Sequence, residues 1–304
     1  MSLDASQSGV GGNRPLGAAL SMLSAMVVIG FIDNFIAVIS ETMGLWQFVV
    51  MRSVLMLPLL IVMARIGFGT LSPRRWVPVL GRATALATSM FLYFGALGLM
   101  PISQALAGLF TSPIFVLLIN VVVQRQRIGP FRILAVACGF VGILLVLEPD
   151  TERFSPVMLM PVAAGFFYAI SAIATRSWCA GESALALLGA NMIMLGGLAA
   201  MVLVGLSLGG GAGTDYLTRP WVWPVRDALP WVVLQAVGSL GGVFLIIRAY
   251  QMDEPANVAV FEYSVMIFAP AMAWVMFGQT LGLWQGLGIG LIVLAGTVIA
   301  LRSR

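Results

Sequence analysis

Two carboxylates and two guanidinium groups fall inside long apolar runs of this sequence, at Asp33, Arg52, Arg82 and Glu262. A cation near the middle of a bilayer costs at least about 2.5–3.5 kcal/mol on insertion scales, so each such charge needs a partner or a ligand. Counted from one boundary of the apolar runs, Asp33 lies about seven residues deep and Arg52 about ten, which at about 1.5 Å per residue is a depth difference of ~4–5 Å. A long arginine side chain spans that. The two runs are joined by a very short link and must be antiparallel neighbours, so Asp33 is paired with Arg52. Glu262 lies nearer the opposite boundary, close to the depth of Arg82, and these two form a second pair. The alternative for Arg52 is to pin its helix through carbonyls or water, or to grip a substrate carboxylate.

Polar side chains at helical spacing within apolar runs should face water or a partner, because facing lipid is costly. Such stripes occur at Ser21, Ser24 and Asn34; at Thr84 and Thr88; at Gln104, Gly108 and Thr111; at Tyr168, Ser171 and Thr175; at Gln235, Ser239 and Gly242; and at Asn257 and Ser264. They predict a central cavity in which Asn34, Tyr93, Gln104, Tyr168, Ser239 and Tyr263 bind substrate, with Tyr93, Gln104, Tyr168 and Ser239 facing one space. A buried phenol needs a hydrogen-bond partner and offers a flat apolar surface, which suits an uncharged or aromatic amino-acid side chain. Pro113 and Pro270 interrupt two of the runs and are the expected hinges. Back-bonding to its own helix remains the commoner fate of any single Ser or Thr.

The elements that must hold these groups follow from composition. The chain has 304 residues, 60% hydrophobic and 9% charged, with mean hydropathy +1.02. Soluble domains carry about 25% charge, so an all-α polytopic membrane protein is predicted. All 16 basic residues are arginine and there is no histidine. That excludes a Walker A lysine, a Schiff-base lysine, a Ser-His-Asp triad and a zincin motif, so neither an enzyme nor an ATP-driven pump is expected. No cofactor or metal is called for, and Cys138 and Cys179 read as unpaired small hydrophobes. The arginines form no stripe, so nucleic acid is not an expected partner.

Apolar runs long enough to cross a bilayer are read at 15–40, 42–66, 76–100, 101–123, 130–147, 155–177, 184–208, 228–250, 255–279 and 282–301. Arginines concentrate on one side of them, at positions such as 14, 65, 74, 75, 125, 127, 176, 248, 302 and 304, which places both termini in the cytoplasm by the positive-inside rule. The glycine-rich stretch 209–213 heads the longest loop, expected to be a mobile external connection. The fifth and tenth spans carry few polar residues and should lie at the periphery.

The segments opening at Pro101 and Pro255 resemble one another, with Gln126 matching Gln279, Gly129 matching Gly282 and Gly142 matching Gly296 at offsets of 153 or 154. Five spans per half is an odd number, so the halves run in opposite senses, a signature of secondary transporters. The predicted organisation is a tail at 1–14, a first repeat at 15–147, an external linker at 148–154, a second repeat at 155–301 and a tail at 302–304.

The arginine in WQFVVMRSVLMLP, the proline in FTSPIFVLL and the small-residue pattern in ACGFVG and LAG resemble the EamA-like branch of the drug/metabolite transporter superfamily over essentially the whole chain. Where that family usually has a glutamate, this sequence has Gln126 and Gln279. Within the superfamily the likeness is to the YddG-type amino-acid exporters. It implies a secondary transporter of the bacterial inner membrane that exports neutral or aromatic amino acids and related metabolites by alternating access. Drug or toxic-metabolite efflux is the alternative, and an intramembrane lipid-acting enzyme a remote one. The implied partners are a small-molecule substrate and membrane lipids, with the oligomeric state open.

Overall fold

The computed structural model describes residues 15–124, 130–147, 155–209, 213–252, 258 and 261–301. Among them there is no strand. The helices are α1 (Pro15–Ile32), α2 (Phe35–Thr42), α3 (Leu45–Arg65), α4 (Trp76–Leu97), α5 (Ile102–Leu109), α6 (Ser112–Gln124) and α7 (Pro130–Leu147). A 3₁₀ turn at Pro156–Leu159 then leads into α8 (Met160–Ser177), α9 (Ala184–Leu208), α10 (Leu229–Met252), α11 (Val265–Phe277) and α12 (Leu283–Leu301). Six helical segments are long and apolar enough to cross a membrane, and four shorter apolar ones accompany them. The predicted tails and linker, Gln126 and Asn257 lie outside the described residues.

Most helices are apolar on both their buried and their exposed faces, as Leu185 (0% exposed) and Val77 (83% exposed) illustrate. That is the pattern of helices packed in hydrocarbon rather than water. Three of the predicted continuous spans are broken instead. The first divides between α1 and α2 at Asp33 and Asn34, the fourth between α5 and α6 at Phe110 and Thr111, and the ninth at Tyr263 and Ser264 just before α11. Pro113 is therefore not a mid-helix kink. It sits in the first turn of α6, where its missing N–H costs little. Pro270 does lie inside α11, buried.

Neighbour relations follow an exchange of one half for the other. The packing of α1 on α10 has its counterpart in α8 on α4, that of α1 on α11 in α8 on α5 and α6, and that of α3 on α10 in α9 on α4. The pairs α3–α9, α5–α11 and α7–α12 map onto themselves. In the α7–α12 pair the backbones nearly touch: a Cβ on Gly288 would stand 2.5 Å from the Gly142 carbonyl oxygen. Small residues permit that approach where hydrocarbon supplies no hydrophobic drive between helices.

Candidate functional site

The end of the bundle where α1 begins is called here the near end, and the opposite one the far end. Two buried polar groups lie between these ends, one on each side of the middle.

The first is organised around the break between α1 and α2. The Asn34 Nδ2 donates to the Gly30 carbonyl at 2.7 Å and to the Ala269 carbonyl of α11 at 3.1 Å, which ties the broken span to the segment next to Pro270. Asp33, 5% exposed, accepts from Tyr93 Oη of α4 at 2.8 Å and from Gln235 Nε2 of α10 at 2.8 Å. The Gln235 Oε1 accepts in turn from Arg52 Nε of α3 at 3.2 Å and from Ser239 Oγ at 2.6 Å. Arg52 thus reaches Asp33 through a carboxamide, not by the direct pairing read from depth. Its guanidinium carbon stands 5.1 Å from the centre of the Phe94 ring, a cation–π distance.

The second group lies toward the near end. Glu262 accepts from Tyr168 Oη at 3.1 Å, with the Tyr250 hydroxyl close by. Arg82 turns elsewhere: its Nε donates to Thr175 Oγ1 at 2.8 Å and its Nη1 to the Leu187 carbonyl at 3.3 Å. The expected Arg82–Glu262 contact is replaced by a threonine of α8 and the Leu187 carbonyl in the first turn of α9. The buried Tyr263 ring packs against Phe110 at 5.7 Å.

Of the four residues expected to face one space, Tyr93, Gln104, Tyr168 and Ser239, hydrogen bonds gather only two into one group. Tyr93 and Ser239 belong to the first group and Tyr168 to the second, while Gln104 is half-buried on α5 outside both. Gln235, one member of a polar stripe in the sequence, is the hub of the first group. Nothing in its spacing marked it above Ser239, although a lone carboxamide deep in an apolar helix is the signal that could have.

Both ends are fastened. At the far end, residues 213–228 lie on the α2–α3 junction rather than moving freely. The Gln47 side chain exchanges two bonds with Val222, at 3.0 and 2.9 Å, and Trp46 Nε1 donates to the Leu217 carbonyl at 2.8 Å. The Arg219 guanidinium joins the carbonyls of Ser40, Glu41 and Thr214. At the near end, the Glu182 carboxylate accepts from the backbone amides of Arg74 and Arg75, both at 2.9 Å, and Arg75 Nη2 donates to the Trp178 carbonyl at 2.6 Å. In each case an arginine of a long loop holds the carbonyl end of a helix from the other half.

The profile of the EamA-like transporter family matches residues 16–148 and, a second time, residues 155–301. The chain belongs to the EamA-like transporter family. Among relatives of this EamA-like protein is a riboflavin transporter of Rhizobium johnstonii, 25% identical over 93% of this chain and 87% of its own length. A riboflavin transporter of Brucella anthropi is 24% identical over 81% of this chain and 84% of its own. An S-adenosylmethionine uptake transporter of Rickettsia bellii is 26% identical over 62% of each chain. A crystal structure 18% identical in sequence shares the fold at a TM-score of 0.67, covering 94% of this chain and 97% of the other. The chain is thus a polytopic membrane transporter for a small molecule. The relatives' names point away from the amino-acid exporters that the sequence resemblance implied.

Proposed function

We propose that this chain is a ten-helix secondary transporter that carries a small heteroaromatic metabolite across the bacterial inner membrane. The names of the relatives suggest the ligand chemistry: a planar nitrogen heterocycle bearing a hydroxylated chain or sugar, as in riboflavin and S-adenosylmethionine. The observation that carries the reading is the Asp33–Gln235–Arg52 network. It takes residues from the α1–α2 break, α3 and α10, with Tyr93 of α4 completing it. Buried charges are expensive in a membrane interior and are kept where they serve a pathway.

Alternating access is supported by the exchange of neighbours and by the double family match. Two inverted five-helix halves, 15–147 and 155–301, would close the far end with the Arg219 clamp and the near end with the Arg75 clamp, each releasing in turn. Pro270 and the break before Pro113 are the bending points in this scheme, and Asn34, Tyr93, Ser239, Tyr168 and Tyr263 are substrate contacts. The near end is cytoplasmic, as arginine placement favours.

Export of a neutral or aromatic amino acid is the second reading. It is favoured by Tyr93 and Tyr168 standing on Asp33 and Glu262, where an ammonium could replace a phenol. Uptake of labelled riboflavin, S-adenosylmethionine, phenylalanine and tetraphenylphosphonium into proteoliposomes separates the readings. Saturable flux of either heterocycle supports the first, phenylalanine alone the second, and the lipophilic cation alone a drug-efflux role.

A further inference from the structure

Arg52 is 4% exposed and carries five N–H donors, yet the protein satisfies its guanidinium only in part. Its Nε is held by Gln235, while its Nη1 is fully enclosed and has no hydrogen-bond partner among the described residues. Neither neighbouring acceptor hydrogen-bonds to Nη1. One oxygen of Asp33 takes the Tyr93 hydroxyl and the other takes Gln235 Nε2. The single oxygen of Gln235 already receives Arg52 Nε and Ser239 Oγ. Two opposite charges are therefore buried one carboxamide apart, with no hydrogen bond joining carboxylate and guanidinium directly. Phe94 covers one face of the cation, and its ring lies 5.8 Å from that of Tyr93.

An enclosed charged donor without an acceptor is costly, and each one in a native structure calls for a specific explanation, a functional role among them. The free edge of a guanidinium presents parallel N–H bonds that match two oxygens in a plane. We propose that the terminal edge of Arg52 is the binding site for a paired oxygen acceptor on the transported molecule, a carboxylate or the carbonyl edge of a heterocycle. Asp33 and Gln235 are positioning residues that aim it, and Phe94 and Tyr93 supply the flat wall beside it. This rests on the transporter reading but not on which metabolite is carried.

Benzoate is the minimal probe, since it offers only a ring and a carboxylate. Benzyl alcohol, with the same ring and no acceptor pair, is its control at matched ionic strength. Benzoate should raise the Tm of detergent-purified protein, and Arg52→Lys, which keeps the charge but loses the fork, should abolish that rise. Benzyl alcohol should leave both proteins unchanged. A measurement on the unmodified protein guards against a variant that does not fold. Modification of Arg52 by p-hydroxyphenylglyoxal, followed by peptide mass, should slow several-fold with benzoate and not with benzyl alcohol. Equal protection by the two compounds, or none by benzoate, overturns the assignment. Protection by benzoate in a protein that transports neither heterocycle overturns only the substrate class.

Discussion

Asp33 and Arg52 are held to one another by the two ends of a single carboxamide: Gln235 donates to the carboxylate at 2.8 Å and accepts from the guanidinium at 3.2 Å. The amide carries the attraction between the charges while keeping the arginine's far edge clear. Hydrogen bonds to charged groups are worth about 1.5–3 kcal/mol each, so Gln235→Leu should lower stability by at least that much in an SDS-unfolding titration. Because the residues share one network, the loss in Gln235→Leu with Asp33→Asn should fall short of the sum of the single losses. Additive losses would mean that the three side chains act separately.

The α7–α12 contact gives a packing prediction with an internal control. At Gly288 an added Cβ meets the Gly142 oxygen at 2.5 Å, whereas at Gly286 it meets nothing within 4 Å. Gly288→Ala should cost about 1–3 kcal/mol through overpacking, and Gly286→Ala should leave the Tm within a degree or two. Similar behaviour of the two variants would show that these helices do not approach as described.

At the far end, Met43 is 2% exposed and its neighbour Gly44 has no room for a Cβ beside the Arg219 carbonyl, at 2.8 Å. In a background with Cys138 and Cys179 replaced by alanine, Met43→Cys should react slowly with a polar maleimide. Adding Arg219→Ala removes the contacts to Ser40 and Glu41 and should speed labelling several-fold. An unchanged rate would show that Arg219 does not hold the loop down.

At the near end the equivalent hold is Glu182, which accepts two backbone amides. Glu182→Ala should free the 66–75 loop and make trypsin cleavage after Arg74 and Arg75 several-fold faster. Cleavage at the original rate would place the strength of that junction elsewhere, in Arg75 and the Trp178 carbonyl.

Much of this was legible in the sequence because hydrocarbon enforces simple rules. Length and apolarity gave the helical elements, and depth counting put Asp33 and Arg52 in one network. Depth says nothing of rotation about a helix axis, so it could not see that Gln235 stands between them, or that Arg82 faces Thr175 and not Glu262. The breaks at Asp33, Phe110 and Tyr263 were equally hidden, since none carries a proline at the break itself. The loop at 213–228 looked free because glycines precede it. Its anchoring depends on Gln47 and Arg219, which meet across more than 170 residues of sequence from their partners.

The central claim, that this EamA-like chain carries a heteroaromatic metabolite, is tested most directly by counterflow. Proteoliposomes are preloaded with unlabelled riboflavin and given a trace of labelled riboflavin outside. A carrier exchanging across two alternately open ends should produce a transient overshoot of internal label, absent in protein-free vesicles and strongly reduced in Arg52→Lys. Label entering no faster than in protein-free vesicles, while phenylalanine in the same assay overshoots, would contradict the account and leave amino-acid transport in its place.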